Sequence, residues 1–150
     1  SEDLEDLIYN HRWLEDRTLK IGGHDTVSVN GVVFDYKHFV GKSSIPHGRF
    51  TALARDRLWN VLWAERGEYP KAHILLRSHV HYFYFCGSAD WLGVITPALQ
   101  MYGSKFGSRK PSGTVDVGLV FFDVAEEGKY SWDYRILRFK ERRRQHLLEL

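Results

Sequence analysis

An Asn-Gly pair at residues 30 and 31 is the strongest local constraint on the fold of this chain. Asn-Gly readily adopts the positive φ angles that a two-residue type I′ turn requires, and this turn matches the twist of paired strands. The residues on both sides of the pair are β-branched or aromatic: Val27, Val29, Val32, Val33, Phe34 and Tyr36. The pattern therefore predicts an antiparallel hairpin over residues 26–37.

A second strand signal carries candidate chemistry. The short run His73-Ile74-Leu75-Leu76, which follows Pro70, leads into Arg77-Ser78-His79-Val80-His81. A run of this length with polar residues after it predicts a buried strand. Where the backbone bends at the end of that strand, His79 and His81 can converge on one metal ion, because imidazole binds zinc, iron, nickel and, in mixed sites, manganese. The alternative is a solvent-facing strand end with incidental histidines.

The rest of the chain predicts one domain, residues 1–150, that combines helices with a mixed β-sheet in an α/β fold. Acidic residues in the first turn and the apolar residues Leu4, Leu7, Ile8 and Leu14 predict an amphipathic helix over residues 3–16. A helix is predicted for residues 50–66, with one apolar face made by Phe50, Leu53, Ala54, Leu58, Val61 and Leu62. The remaining predicted segments are strands at 82–86 and 92–96, a hairpin of 115–124 with 130–139, and a charged tail at 140–150.

Composition excludes several classes of protein. A net charge of +2 is too small to indicate a nucleic-acid partner on electrostatic grounds. The single cysteine, Cys86, permits neither an internal disulfide nor a thiolate-rich zinc site. No apolar run reaches the roughly 18 residues that span a bilayer, so we expect no membrane partner and a cytoplasmic location. The chain opens at Ser1 inside a helix-like pattern without an initiator Met, which suggests a processed or trimmed chain or a fragment.

Further features accompany the histidine pair in a fixed order. His38 follows the second strand of the predicted hairpin, the loop Ser43–Arg49 comes next, and Thr96-Pro97 follows the pair. This set resembles the C-terminal part of the calcineurin-like metallophosphoesterase family. It is most similar to the phage-associated and uncharacterised branches, in which an SSIPxGR-type loop follows the first histidine. The resemblance covers about residues 32–132, with Ser78 in place of the glycine of the family's Gly-His-x-His motif.

The resemblance implies a fold, an activity and a set of ligands. The fold would be the C-terminal half of a metallophosphoesterase β-sandwich. The reaction would be hydrolysis of a phosphodiester or nucleotide, with a phosphorylated small molecule or nucleic acid as substrate. His38, His79 and His81 would bind Mn²⁺, Zn²⁺ or Fe²⁺. Three imidazoles could hold one ion with an open position, whereas a two-metal site also needs a bridging carboxylate.

The family's earlier motifs, Asp-x-His, Gly-Asp and Gly-Asn-His-Asp/Glu, do not precede His38. Gly22-Gly23-His24-Asp25 has the outline of the last one, but Gly23 stands where the ligand asparagine would be. We therefore expect the chain to begin just after the half that carries these motifs. A missing N-terminal segment or a second copy of the chain is then expected to cover the uncovered face of a half-sandwich.

Two arginines are candidates for contacts with phosphate, because guanidinium matches phosphate geometry in a bidentate way. Arg49 lies at the exit of the loop after His38, and Arg77 directly precedes the histidine pair. The alternative for each is a surface ion pair. Asp90 could orient a ligand histidine or could be a turn residue. A second hypothesis for the whole chain is a catalytically degenerate descendant that keeps the sheet and acts as a binding or assembly module.

Overall fold

The computed structural model describes residues 23–43, 45–99 and 115–138. In these residues it contains one α-helix, seven strands and a short 3₁₀ turn at Glu126–Gly128. The predicted helix at 3–16 and the predicted tail at 140–150 lie outside the described residues. No helix in the described part is both long and apolar enough to cross a membrane. The elements are β1 His24–Val29, β2 Val32–Lys37, α1 Gly48–Glu65, β3 Ile74–Arg77, β4 Tyr84–Ser88, β5 Trp91–Ile95, β6 Val117–Val124 and β7 Tyr130–Leu137.

The strands form two sheets. The larger sheet has the order β1-β2-β3-β5-β4, and the smaller one is the antiparallel ribbon β6-β7. Strands β2, β3 and β5 are parallel neighbours, while β1 and β4 are antiparallel to β2 and β5 at the two edges. This confirms the predicted α/β class with a mixed sheet. Because parallel strands end at the same edge, the segments after β2, β3 and β5 lie side by side.

The core has two parts, one on each face of the larger sheet. On one face the ribbon packs against the sheet, where Phe34 and Phe122 meet edge to face at 5.4 Å between ring centroids. On the other face Leu53 of α1 lies in a cluster with Val40, Tyr82 and Ile95. Both faces of β3 are therefore covered, which explains its continuous apolar run: Ile74 and Leu75 are each fully buried.

The orientation of α1 differs from the sequence prediction. Leu53 is fully buried, but Phe50, Leu58 and Leu62 of the predicted inward face are 48%, 58% and 40% exposed. Two polar residues take their place, because Arg57 and Asn60 are buried and bond to the backbone ahead of β3. Arg57 Nη1 donates to the Ala72 carbonyl at 2.6 Å, and Asn60 Oδ1 accepts from the Ala72 amide at 2.9 Å. These bonds turn a polar strip of the helix toward the sheet.

The β1–β2 hairpin confirms the Asn-Gly prediction. Val29 and Val32 are paired at its end, which leaves Asn30 and Gly31 as the two loop residues. Both have positive φ, 47° for Asn30 and 86° for Gly31, as a type I′ turn requires.

Replacing Gly31 tests this turn. We expect Gly31→Ala to lower the free energy of unfolding by about 1–2 kcal/mol, because an L-residue resists left-handed φ. A Cβ at Gly31 would meet no atom closer than 3.8 Å, so crowding contributes little. Gly23→Ala is the matched control, since its Cβ would lie in open space. Urea unfolding of the two variants should separate them, and equal losses would contradict the turn assignment.

Candidate metal-binding site

The edge of the larger sheet brings the predicted histidines together. His38 follows β2, and His79 and His81 follow β3. Hydrogen bonds continue the alignment beyond the strands: the Ser78 amide donates to the His38 carbonyl at 3.1 Å, and the Thr96 amide donates to the Arg77 carbonyl at 2.7 Å. The segments after β2, β3 and β5 are therefore held next to one another by backbone contacts.

Two imidazole nitrogens lie at a separation that suits one metal ion. His38 Nε2 is 3.2 Å from His79 Nδ1. Two nitrogens that bind a tetrahedral zinc at about 2.0–2.1 Å each are about 3.3 Å apart. Without metal, the same separation is a hydrogen bond in which one neutral ring donates to the other. The two nitrogens of His38 and His79 therefore have the separation of two ligand atoms on one metal ion.

The third histidine lies in the same cleft but not yet in a ligand position. His81 lines the cleft with His38 and His79. Within residues 23–43, 45–99 and 115–138, no group of three His, Cys, Asp or Glu side chains is placed to hold an ion. A three-histidine site would thus need the His81 ring to move closer to the rings of His38 and His79.

The backbone bends sharply at the histidine pair. His79 and His81 have φ angles of 76° and 62°, in the left-handed region that residues with a Cβ disfavour. The amide of Val80 donates to the Ser78 carbonyl at 3.0 Å, and the Asp116 amide donates to the His81 carbonyl at 3.0 Å. The bend that would let two histidines, one residue apart, approach one ion is therefore present, and the ribbon segment before β6 holds it.

The surroundings of His79 favour its neutral form. Burial lowers the pKa of His79 below its ordinary value of 6.5, and the positive charges that His38, His81 and Lys42 can carry lower it further. The ring of Phe39 contributes to this burial, with its centroid 5.3 Å from that of His79. A neutral imidazole keeps the lone pair that a metal ion needs.

This shift predicts a pH dependence. Unfolded His79 takes up a proton near pH 6.5, whereas folded His79 does so only at lower pH, so protonation favours the unfolded state. The contribution to stability is complete above pH 6.5 and is lost as the pH falls toward the folded pKa. NMR titration should place His79 below 6.5, and His79→Gln should weaken the pH dependence of unfolding between pH 7 and 5. A titration midpoint at or above 6.5 would contradict the arrangement.

The histidines line one side of a cleft of about 580 Å³. The hydroxyls of Ser78 and Thr96, hydrogen bonded to each other at 2.8 Å, lie on the same side. The remaining lining is apolar apart from a glycine and comes from β3, β6 and the segment after β5: Leu76, Pro97, Ala98, Leu99, Gly118, Leu119, Val120 and Phe122. The contribution of the β6 residues was not predicted, because the sequence of residues 115–124 indicates a hairpin strand and no link to the histidines.

Arg77, predicted as a phosphate contact, instead lies in the core with 2% exposure. Its Nη1 donates to Asp35 Oδ1 at 2.7 Å, and its Nε donates to Asp56 Oδ2 at 2.6 Å. Side chains alternate along a strand, so Arg77 leaves β3 on the face opposite Leu76, which lines the cleft. This guanidinium joins β3 to β2 and α1, and it is therefore not available to a substrate in the cleft, contrary to the sequence prediction.

Arg49 also lies outside the lining of the cleft. Its guanidinium carbon is 3.9 Å from the centroid of the Tyr82 ring, a cation–π contact at the start of α1. Its Nε is buried without a hydrogen-bond partner in the described structure. The phosphate contact expected of Arg49 stays a prediction.

Two other sequence candidates, and the single cysteine of the chain, lie away from the site. His24 Nε2 is 3.0 Å from Asp35 Oδ1, which joins it to the core network. Asp90 accepts a hydrogen bond from Ser88 Oγ at 2.7 Å, and this bond lowers the pKa of its exposed carboxyl. This contact agrees with the alternative that Asp90 is a turn residue. Burial raises the pKa of the Cys86 thiol to about 11, so this residue stays protonated at neutral pH.

No protein-family model and no curated protein matches this sequence. Among solved structures, a single mutant of Vps29 from Entamoeba histolytica has 12% identity and a TM-score of 0.45, and covers 82% of this chain and 65% of its own. Wild-type Vps29 of that organism in complex with Zn²⁺ has 9% identity and a TM-score of 0.44, with coverages of 80% and 63%. Thermotoga maritima protein TM1076 has 15% identity and a TM-score of 0.41, with coverages of 91% and 62%.

These similar structures have the calcineurin-like metallophosphoesterase fold. The chain spans less than two thirds of the length of each of them. Identities and TM-scores in this range do not assign the chain to a family, and they give no support to the phage-associated branch in particular. The α/β architecture itself follows from the strand order and the packing described above.

Proposed function

We propose that this chain provides the histidine ligands of a metal-dependent phosphoester hydrolase. The observation that carries the proposal is the 3.2 Å approach of His38 Nε2 to His79 Nδ1, beyond the ends of two parallel neighbouring strands. His38 and His79 would hold Mn²⁺, Zn²⁺ or Fe²⁺, with His81 as the third ligand once its ring has moved closer to theirs. A divalent ion there would lower the pKa of a water molecule and polarise phosphoryl oxygens.

The chain's own groups suggest how a substrate would lie. The hydroxyls of Ser78 and Thr96 line the cleft with the histidines, and one donates to the other. The O–H of the accepting hydroxyl is then free to donate a hydrogen bond to a phosphoryl oxygen. Val120 and Phe122 of β6, which also line the cleft, would pack against the organic part of the substrate. We therefore propose a phosphodiester or nucleotide, either as a small molecule or within a nucleic acid, as the substrate.

A second candidate function is a degenerate binding or assembly module. This candidate is favoured because, among the described residues, no third His, Cys, Asp or Glu side chain is placed to bind a metal ion together with His38 and His79. The ribbon also exposes an apolar surface, since Leu119, Phe121 and Leu137 are 51%, 48% and 57% exposed. A segment that carries carboxylate ligands, or a second copy of the chain, would bury that surface on association.

Hydrolysis of bis(4-nitrophenyl) phosphate separates the two functions. Chelator-treated protein should gain activity on addition of Mn²⁺. His79→Ala removes one metal ligand and should lower kcat/KM by about 100-fold, which is a loss of about 2.7 kcal/mol of transition-state stabilisation. His47→Ala is the matched control, because His47 lies outside the cleft lining and its side chain makes no cap bond to α1. Metal binding without turnover would favour the degenerate module, and turnover unaffected by His79→Ala would reject the site.

A further inference from the structure

Helix α1 has a second apolar face, opposite the one that packs on the sheet. One side of the helix carries two rows of residues that start at Arg55 and are spaced three or four apart. One row is Arg55, Leu58 and Leu62, and the other is Arg55, Trp59 and Trp63. Leu58, Trp59 and Leu62 are 58%, 50% and 40% exposed. A solvent-facing helix surface is ordinarily polar, whereas here the polar residues Arg57 and Asn60 are the buried ones. We call this stripe the outer face of α1.

Aromatic rings extend the outer face toward β1. Trp59 and Trp63 stack with centroids 5.8 Å apart, and Trp63 is 5.8 Å from Tyr69. Tyr69 in turn stacks on His24 at 5.4 Å and 8° between planes. Next to these rings is a cleft of about 320 Å³, lined by His24, Lys37, Arg55, Asp56, Trp59, Trp63 and Arg77. Asp56 is paired with Arg77, so Lys37 and Arg55 give the cleft a positive character.

We propose that residues 3–16 of the same chain bind to the outer face of α1. Their sequence carries Leu4, Leu7, Ile8 and Leu14 at helical spacing, a stripe that matches the exposed leucines and tryptophans. The segment also contains five acidic residues and one arginine, a net charge of −4 with histidine neutral, which is complementary to Lys37 and Arg55. Both its apolar and its charged positions thus have counterparts on this surface.

Chain connectivity allows the segment to reach this surface. His24 begins β1 and lines the cleft beside Trp59 and Trp63. Residues 17–24 can span about 26 Å when extended. The outer face from Arg55 to Trp63 is about 12 Å long. The linker can therefore reach every position on the face, and a tethered segment has a high effective concentration there.

A second copy of the chain is a less suitable occupant. A two-fold interface places the same patch on both partners. Arg55 and Lys37 of one copy would then approach the same cations of the other, which disfavours association through this face. The acidic segment within the chain meets the same cations with opposite charge.

Hydrogen exchange on the complete chain tests the proposal. We expect the amides of residues 3–16 to be protected, and their exchange to accelerate at least tenfold in the double variant Leu58→Gln, Leu62→Gln. Both side chains are exposed, so the fold should persist, and unchanged protection of β3 checks this within the same experiment. Leu137→Gln is the matched control, because Leu137 is 57% exposed on β7, away from α1 and outside the lining of the histidine cleft.

The reciprocal variant Leu7→Gln, Ile8→Gln should release the same amides, and it leaves the outer face intact. The proposal is overturned if residues 3–16 exchange at intrinsic rates in the unaltered chain, or if their protection survives both double variants. Protection that appears only at high protein concentration, together with a dimer in light scattering, would also overturn it and assign the face to a second copy.

Discussion

Arg77→Ala is expected to lower the free energy of unfolding by about 3–5 kcal/mol, the cost typical of removing one partner of a buried ion pair. Asp35 is fully buried, and Arg77 Nη1 lies 2.7 Å from its Oδ1. The Nε group of the same arginine bonds to Asp56 of α1 at 2.6 Å. Among the residues that the structure describes, the variant leaves the buried carboxylate with His24 and Asn60 as its side-chain partners, and it removes a link between helix and sheet. Urea unfolding at neutral pH measures the loss.

An exposed ion pair provides the control for this prediction. Arg135 pairs with Asp133, and the two side chains are 71% and 58% exposed. Arg135→Ala should cost less than about 1 kcal/mol, because solvent screens such pairs. The double variant Arg77→Met, Asp35→Leu should lose less stability than Arg77→Ala, since neither charge remains buried. If Arg77→Ala cost no more than Arg135→Ala, the network would not hold β3 to α1.

Loss of metal affinity is the second large effect expected. His38→Ala and His79→Ala should each weaken Zn²⁺ binding about 100-fold or more, which is about 2.7 kcal/mol. Each removes one of the two nitrogens that now lie 3.2 Å apart. His81→Ala should also weaken binding, because its imidazole lines the same cleft and completes the ligand set after moving closer to the other two rings. Isothermal titration calorimetry at pH 7 measures all three variants.

His47→Ala should leave Zn²⁺ affinity unchanged, since His47 precedes α1 and is outside the cleft lining. Equal affinities in this control and in His79→Ala would contradict the site. A stoichiometry above one ion per chain would contradict the argument that these histidines, without a bridging carboxylate, hold a single ion.

Local signals in the sequence predicted much of the fold. The turn at Asn30-Gly31 and the strand 74–77 follow from residue types within a few positions of one another, so both were predictable. The inward face of α1 was not, because apolar spacing alone cannot show that Arg57 and Asn60 bond to the backbone of Ala72. Those contacts depend on a segment that comes later in the chain.

The candidate site was likewise predictable from the sequence only in part. The approach of His38 to His79 was predictable in outline, since both follow strands and parallel strands end at one edge. The role of Arg77 was not, because its two carboxylate partners come from β2 and α1 and nothing near Arg77 in sequence indicates them. The apolar wall from β6 was missed for a related reason, namely its distance along the chain from the histidines.

We propose that the imidazoles beyond β2 and β3 bind a metal ion. Zn K-edge X-ray absorption on the complete chain with one equivalent of Zn²⁺ tests it most directly, because imidazole ligands give nitrogen scattering at about 2.0–2.1 Å with outer-shell features of the ring. We expect two to three imidazoles per zinc in the unaltered chain and a loss of imidazole scattering in the variant His38→Ala, His79→Ala. A spectrum without imidazole scattering, or one that is the same in the variant, would contradict it.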